Sequence, residues 1–362
     1  AAMEETAPKK PRAVLLAAAV AVLTVGGGIT YGTYRYFRPI AARDAIPADA
    51  FFSVHVNGKF LRNSFLGTVL SQALPALRAD GSLHETDNPV GALARLDEAC
   101  GFPVLSRLDE LVVFAEERTP GAPTDATTPL LGAALRGEVT AAELAKCSRG
   151  VVASDTSQLR RDGSFYRGEK AELGIAYALG ARRPFLVGPP AAVDAAVASV
   201  DGLRMPFSKG AVGLRRAFVD ASASPYTYAT AWLRRTPAIT RLLKGAAAFL
   251  PTAELARGLP SVDEMLLVVG GTGSGKNQAT DRVSIVLDAE CTEVSGCKDV
   301  ATFLKRERFE LGKNLAVRLL GFGSTLDQAA ISEGEREGRG TVRLAVTLDG
   351  DTLGGAAALV GH

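Results

Sequence analysis

Residues that ordinarily build catalytic and metal sites are scarce in this chain. Its 362 residues include only three histidines and four cysteines, and no two cysteines stand in a C-x-x-C pair. A structural zinc site usually takes two ligands from one such turn, so we do not expect a metal site. No G-x-S-x-G elbow and no H-E-x-x-H sequence occurs either, so the usual serine-hydrolase and zinc-protease motifs are missing. The composition therefore leans away from an enzyme without deciding the question.

An excess of charge is also missing. The formal net charge is only +2, and the basic residues are scattered along the chain rather than concentrated. Nucleic acid is therefore not an expected partner. An apolar content of 47% with 22% charged residues is typical of a folded protein and excludes wholesale disorder.

One apolar run dominates the start of the chain. Ala13–Tyr34 carries no charge and is bounded by Arg12 and Arg35. At a rise of roughly 1.5 Å per residue, a helix of this length spans the ~30 Å hydrocarbon core of a bilayer. The run is longer than the roughly 7–15 apolar residues of a cleavable signal peptide, and aromatic residues that suit a membrane interface follow it. The sequence therefore predicts an uncleaved, single-pass signal-anchor.

The direction of this anchor is not decided by charge, because three basic residues precede the span and three follow it. The short N-terminal tail and the cysteines favour a cytosolic N-terminus, with the body in the periplasm outside the inner membrane. Gly28 and Gly32 form a G-x-x-x-G pair that could bring two anchors together as a homodimer. Small residues are so frequent in this span that chance explains the pair equally well.

The four cysteines suit an oxidising compartment, because an even number behind a membrane anchor is typical of disulfide-bonded proteins. Cys291 and Cys297 are close enough in sequence to close a small loop. Cys100 and Cys147 are then the remaining pair. The alternative is that all four are free, buried thiols.

The order of the elements indicates an internal duplication of an α+β unit with mainly antiparallel sheets and packed helices. An alternating strand followed by an amphipathic helix occurs twice, and Leu108–Val113 matches Val262–Leu267 nearly letter for letter. Two further pairs of strands match in the same order: 131–135 with 283–287, and 173–179 with 342–348. Both of the last strands end in a tight-turn signal, of which Asp349-Gly350 is the clearer predicted hairpin. Chance resemblance between strand–helix–strand runs is the alternative. The predicted organisation is a tail (1–12), the anchor (13–34), a juxtamembrane linker (35–45), a first unit (46–203), a connecting segment (204–224) and a second unit (225–362).

The sharpest resemblance to a ligand motif is the stretch 270–277, which fits the G-x-x-x-x-G-K phosphate loop through Gly270, Gly275 and Lys276. We reject a nucleotide role for two reasons. Asn277 replaces the hydroxyl residue that would reach Mg²⁺, and Arg282–Leu287 reads as a strand where the motif needs a helix N-terminus. No cofactor is expected.

The histidines and paired acids have ordinary explanations. His55 lies on the polar side of an alternating strand, where a surface histidine is expected. The pairs Asp109-Glu110 and Asp263-Glu264 precede predicted strands, so they should cap a turn or solvate the start of a strand rather than act as acid–base catalysts.

The Ile46–Ala50 lead-in to an alternating strand, close behind a signal-anchor, resembles a loose group of uncharacterised bacterial membrane-anchored extracytoplasmic proteins with repeated strand–helix units. The resemblance implies an envelope location and a non-enzymatic role, and it carries over no functional residue.

The leading hypothesis is a membrane-anchored, extracytoplasmic binding or scaffold protein that presents a surface to an envelope protein or ligand. The first alternative is an extracytoplasmic enzyme whose site is assembled only in the fold. The second is the sensor portion of a signalling protein with a cytosolic part upstream. A deep pocket of convergent His, Asp or Arg residues would favour the enzyme, and a shallow polar surface would favour the binding protein.

Overall fold

The structure is a computed structural model of the chain. It describes residues 40–64, 67, 97–98, 100–117, 129–140, 142–143, 159–162, 165–168, 176–177, 183–237, 239–240, 257–271, 282–313, 318, 322–350 and 352.

The described part of the chain contains helices and longer runs of consecutive strands. The strands are β1 (Phe52–Val56), β2 (Leu108–Glu116), β3 (Leu130–Gly137), β4 (Leu159–Asp162), β5 (Phe165–Gly168), β6 (Ala176–Tyr177), β7 (Phe185–Val187), β8 (Thr227–Arg234), β9 (Val262–Gly271), β10 (Arg282–Cys291), β11 (Ala330–Arg336) and β12 (Arg339–Asp349). The helices are α1 (Gly58–Arg62), α2 (Val104–Arg107), α3 (Pro190–Val200), α4 (Gly213–Ala223), α5 (Val294–Lys313) and α6 (Phe322–Asp327), with 3-10 turns at Ala42–Ala45 and Leu259–Ser261.

All twelve strands belong to one antiparallel sheet. Its order is β11-β12-β10-β9-β8-β1-β2-β3-β7-β6-β5-β4, and β1 pairs with β8 at the centre. The predicted α+β class is confirmed. The two predicted sheets are, however, a single sheet, because β1, the first strand of one half, pairs with β8, the first strand of the other.

One face of this sheet, which we call the α3–α4 face, carries the main core. Val112, Phe114, Trp232 and Leu266 project from it and pack against apolar side chains of the Ala42–Ala45 turn, α3 and α4. Strand residues alternate between faces, so this face also receives the polar side chains that alternate with the apolar positions of β1.

The opposite face, which we call the α5 face, is the more continuously apolar one. Val262, Ala289 and Val342 pack there against α5, and α2 covers Leu108 and its neighbours. Phe60 of α1 stacks on a tyrosine of β8, with the ring centroids 4.5 Å apart. Helices on both faces are required because each face presents apolar side chains to be buried.

Several predictions fall on residues that the structure does not describe. They are the anchor Ala13–Tyr34, the pair Gly28 and Gly32, and Cys147. Among the described residues, no helix has both the length and the apolar character needed to cross a bilayer.

Two predictions about the ends of the repeat were wrong. β12 lies beside β10, whereas β6, the predicted counterpart of β12, is separated from β3 by β7. Asp349 and Gly350 do not form a hairpin turn. Instead the Asp349 carboxylate accepts a hydrogen bond of 2.8 Å from the Thr352 amide, as an N-cap residue does, and residues 350 and 352 are helical. The hairpin turn is at Glu337 and Gly338, both with positive φ.

Candidate functional site

An open groove of about 380 Å³ lies on the α3–α4 face near the edge of the sheet. The register aligns Asp288 of β10 with Arg343 of β12, and Arg343 in turn with Ser332 of β11. Partners in register share one face, so three neighbouring strands contribute polar side chains to the same depression. Leu214 of α4 forms the opposite wall. We call this depression the edge groove. Its charged and hydroxyl-bearing lining comprises Asp288, Glu290, Ser332, Glu333, Arg336, Thr341 and Arg343, and Glu333 is paired with Lys305.

The charges of the edge groove are only partly compensated. Arg343 pairs with Asp288 at 3.3 Å. Burial raises the pKa of Asp288, and the charge of Arg343 offsets only part of that rise. Arg336 and Glu290 make no ion pair with any residue that the structure describes. The groove therefore offers one cation and one anion to a ligand, in a position open to solvent.

A second, smaller groove of about 230 Å³ follows β11 next to the first turn of α5. It is lined by Cys297, which is bonded to Cys291 with the Cα atoms 5.7 Å apart. The bond joins the end of β10 to α5, so the predicted Cys291–Cys297 disulfide is present. Cys100 is also disulfide-bonded, and its predicted pairing with Cys147 stays a prediction because Cys147 lies outside the described residues.

A buried polar cluster surrounds Glu110 at the centre of the sheet. Its carboxylate accepts hydrogen bonds from the Ala42 amide at 2.9 Å and from the amide and guanidinium of Arg43 at 3.4 Å. His55 Nε2 lies 3.1 Å from Oε1, and Arg136 approaches to 3.9 Å. Burial alone would raise the pKa of Glu110, but the hydrogen bonds from His55 and Ala42 and the charges of His55 and Arg43 hold it below its ordinary value.

The prediction that His55 is a surface residue was wrong, since it is 2% exposed. Glu110 is part of β2 rather than a residue before it, and the register shift between Leu108 and Glu110 precedes the stretch that faces His55. An ionised carboxylate only accepts hydrogen bonds, so Nε2 of His55 must carry the proton. The other ring nitrogen, Nδ1, is buried and has no partner among the described residues. The ring therefore serves to hold Glu110 and has no access to a substrate in solution.

The second half of the sheet has a related arrangement around Glu264. Trp232 Nε1 donates to Glu264 at 3.4 Å, and it does so from the same diagonal position as His55. In each half the donor on the first strand lies opposite the residue two positions beyond the glutamate. Burial raises the pKa of Glu264, the hydrogen bond from Trp232 lowers it only in part, and the charges of Glu290 and Asp263 raise it further.

A third carboxyl group with a shifted pKa lies at the far end of β2. Burial, a hydrogen bond with Asp49 and the charge of Asp49 raise the pKa of Glu116 to about 8, against the lowering effect of Arg204. Arg204 bridges the two acids, at 3.0 Å from Asp49 and 3.6 Å from Glu116. This contact attaches the segment between α3 and α4 to the start of the folded body.

The rejected phosphate motif lies at the end of β9. Gly270 pairs with Ser284 of β10 in the sheet, while Gly275 and Lys276 lie outside the described residues. The predicted strand after the motif is confirmed as β10. No cluster of three or more metal-ligating side chains occurs in the part of the chain that the structure describes.

Sequence reasoning missed the residues that matter most in these sites. Nothing in the pattern around Arg336 or Glu290 marked them as groove residues, because their shared face depends on the register of β10, β11 and β12. The one usable signal for Glu110 and Glu264 was the repeated Asp-Glu pair.

Comparison with known proteins adds little. No protein-family profile matches the sequence, and no curated protein matches it. A solved structure described as crystal form IV of TP0453 aligns over 89% of this chain and 97% of its own, with 10% identity and a TM-score of 0.43. Similarity at this level supports no conclusion about the present chain.

Proposed function

We propose that this protein is a membrane-anchored, extracytoplasmic binding protein whose edge groove receives a polar ligand or the polar surface of an envelope partner. The observation that carries the proposal is the groove itself, which is open and lined by uncompensated charges of both signs on Arg336 and Glu290. Charged groups that face solvent without an internal partner are available to an incoming ligand without first breaking an ion pair.

The shape of the site supports binding rather than catalysis. An enzyme site usually encloses its acid–base groups in a deep pocket that excludes water. Here the one described histidine beside a carboxylate, His55 with Glu110, is sealed inside the core. The groove that is accessible is open, and three adjacent strands form its floor.

The location part of the proposal rests on the anchor predicted for Ala13–Tyr34 and on the disulfides. The bond between Cys291 and Cys297 is of a kind that persists in oxidising compartments and is rare in the cytosol. An anchor followed by a disulfide-bonded body fits a periplasmic location.

Duplication of a common unit is the proposed origin of the two halves. Its support is the repeated geometry in which His55 reaches Glu110 and Trp232 reaches Glu264 across neighbouring strands. β3 and β10 also follow β2 and β9 in the same spatial order. The two copies would then have fused into one sheet through β1 and β8.

Photo-crosslinking in intact cells tests the binding role. A benzoylphenylalanine at Ser332, which is exposed in the groove, should yield discrete adducts. The same photo-reactive residue at Phe309, exposed on α5, is the control position and should yield none. Arg336→Glu should lower the adduct yield at Ser332 about fivefold, because it replaces the free cation of the groove.

Equal adduct patterns at the two positions, or no adduct at Ser332 in protein that is present in the envelope fraction, would contradict a binding role for the groove. An adduct at Ser332 that is unaffected by Arg336→Glu would show that the charges lining the groove do not select the partner.

A further inference from the structure

The segment between α3 and α4 exposes several large apolar side chains to solvent. Leu203 is 82% exposed, Met205 56% and Val212 76%. These three residues lie within ten positions of one another. We call residues 201–212 the bridging loop. Scattered apolar residues are normal on a surface, but several in one projecting loop indicate an interaction site.

The base of the bridging loop is fixed by a buried aromatic residue. Phe207 is buried and packs edge-to-face on Trp232 at 5.1 Å between ring centroids, so it fixes the base of the loop in the core. Arg215 caps this base, because its guanidinium lies 4.0 Å from the centre of the Phe207 ring and donates to the Phe207 carbonyl. Phe207 is therefore the buried residue of the loop, and the exposed Leu203 and Met205 precede it in the sequence while Val212 follows it.

The charge of the loop is positive. The loop contains Arg204 and Lys209 against one acid, Asp201, which is paired with an arginine just before β7 at 2.5 Å. Arg204 is paired with Asp49. Lys209 is exposed and makes no ion pair with a described residue. Exposed leucine, methionine and valine side chains flanked by cations are the composition of segments that rest on an anionic lipid surface.

The bridging loop is also attached directly to the segment through which the chain leaves the folded body. The Phe207 amide donates to the Ile46 carbonyl at 3.3 Å, Pro47 and Pro206 form a β-bridge, and Arg204 pairs with Asp49. These contacts place the loop beside the first described residues of the chain.

The bilayer would lie close to that point. Ile40, the first described residue, lies six positions after Tyr34, the end of the predicted span. A fully extended chain of that length reaches at most ~20 Å. The loop that is hydrogen-bonded to Ile46 is therefore on the side of the body that faces the membrane surface.

We propose that the bridging loop is a membrane-docking element, in which Leu203, Met205 and Val212 insert among the headgroups of an anionic bilayer and Lys209 contacts lipid phosphates. This inference rests on the proposed anchor, and it adds a second attachment that orients the body. The edge groove would then be held at a fixed angle to the membrane rather than turning freely on the linker.

Fluorescence of the full chain in vesicles tests the docking. Leu203→Trp adds a reporter to the loop, while Phe309→Trp adds one at a 60% exposed site on α5, across the sheet. The native Trp232 is buried and gives the same background in both variants. Each variant is reconstituted into phosphatidylcholine vesicles with or without phosphatidylglycerol, and quenching by brominated phospholipid is measured after an alkaline wash.

The expected result is quenching about threefold stronger at residue 203 than at residue 309, decreasing with salt and in vesicles without phosphatidylglycerol. Protein that stays in the washed vesicles but shows equal quenching at the two sites would overturn the docking and leave the anchor intact. Protein that the alkaline wash removes would overturn the anchor and the docking together. Shielding of residue 203 from aqueous iodide without quenching by brominated lipid would assign the loop to a protein partner or second copy and overturn the membrane contact.

A measurement on the unsubstituted loop gives an independent check. Docking should slow tryptic cleavage after Lys209 in vesicles relative to detergent micelles by about tenfold, because an inserted loop cannot enter a protease site. The double substitution Leu203→Glu with Val212→Glu should restore rapid cleavage without releasing the protein from the vesicles. Equal cleavage of the native loop in vesicles and micelles would count against the proposal.

Discussion

Glu110 and Glu264 occupy matching positions in the two halves of the sheet, yet they lie in opposite electrostatic environments. Glu110 is surrounded by donors from two strands and from the chain segment at Ala42 and Arg43. Glu264 has one long hydrogen bond from Trp232 and other acids nearby. The pKa of the first is lowered and the pKa of the second is raised.

The comparison shows that an equivalent position on a strand does not by itself determine whether a glutamate is stabilised as a carboxylate. The carboxylate is stabilised only where other segments of the chain bring hydrogen-bond donors or positive charges next to it. In the first half the segment at Ala42 and Arg43 supplies backbone amides to the Glu110 carboxylate, so the folding of the central sheet is linked to the segment that precedes β1. Glu264 in the second half has no comparable amide donors among the described residues.

Replacing each glutamate with glutamine should give the largest difference in stability between the two halves. We expect Glu110→Gln to lower the free energy of unfolding by about 3 kcal/mol, because it leaves buried donors and the Arg43 charge without their anion. Glu264→Gln should change it by less than about 1 kcal/mol, because the site holds a carboxylate poorly and an amide can still accept from Trp232. Denaturant unfolding of the two matched variants measures both values. Equal losses would contradict the contrast between the two halves.

The disulfide should add stability to the second half alone. Replacing both Cys291 and Cys297 with serine should cost about 2 kcal/mol, the value expected for releasing a short loop. Hydrogen exchange should quicken in β10 and in the first turn of α5, while β1 and β2 keep their protection. Uniform loss of protection across the sheet would mean that the two halves unfold as one unit and that the constraint is shared.

The pH dependence of the glutamate variants should have opposite signs. The folded-state pKa of Glu110 is lowered, so its stabilisation is present above the unfolded value near 4.5 and is lost as the pH falls below it. The folded-state pKa of Glu264 is raised, so its carboxyl group disfavours folding increasingly as the pH rises above 4.5. The stability deficit of Glu110→Gln relative to wild type should shrink as the pH falls below 4.5, whereas the stability of Glu264→Gln relative to wild type should rise as the pH rises above 4.5. Parallel pH curves for the two variants would refute these assignments.

The aspartates next to the two glutamates serve as a control, because both form similar, partly exposed ion pairs. Asp109 pairs with Arg62 at 2.7 Å and Asp263 pairs with Arg339 at 3.1 Å, both at positions with substantial solvent access. We expect Asp109→Asn and Asp263→Asn each to cost about 0.5 kcal/mol, as exposed ion pairs do. A large effect at either aspartate would show that the two halves already differ at the surface.

The strands of the central sheet were predictable from local pattern, and the polar cluster was not. The alternation in Phe52–Val56 identified β1, and the repeated Asp-Glu pair located β2 and β9. The alternation also made the Ser53 and His55 side look like the solvent side. That inference failed because the donors over Glu110, Ala42 and Arg43, come from a segment sixty-eight and sixty-seven residues earlier in the chain. Periodicity carries no information about such long-range polar contacts.

Cys291–Cys297 and Asp349 show that short-range sequence signals succeed in one case and fail in another. The six-residue cysteine spacing predicted the disulfide because so short a loop leaves few alternatives. Asp349-Gly350 is a strong hairpin signal, but aspartate is equally suited to begin a helix. The local sequence fits both outcomes, and the amide of Thr352 decides between them. The edge groove was beyond prediction, since it exists only through the register of three strands.

The central claim is that the folded part of the chain lies outside the inner membrane. Protease accessibility in intact and permeabilised cells tests this location directly. Spheroplasts treated with trypsin should lose the folded body to digestion while a cytosolic marker survives, and the undigested chain should remain in the membrane pellet after alkaline extraction. Protection of the body until the inner membrane is permeabilised, or recovery of the full chain in the soluble fraction, would contradict the account.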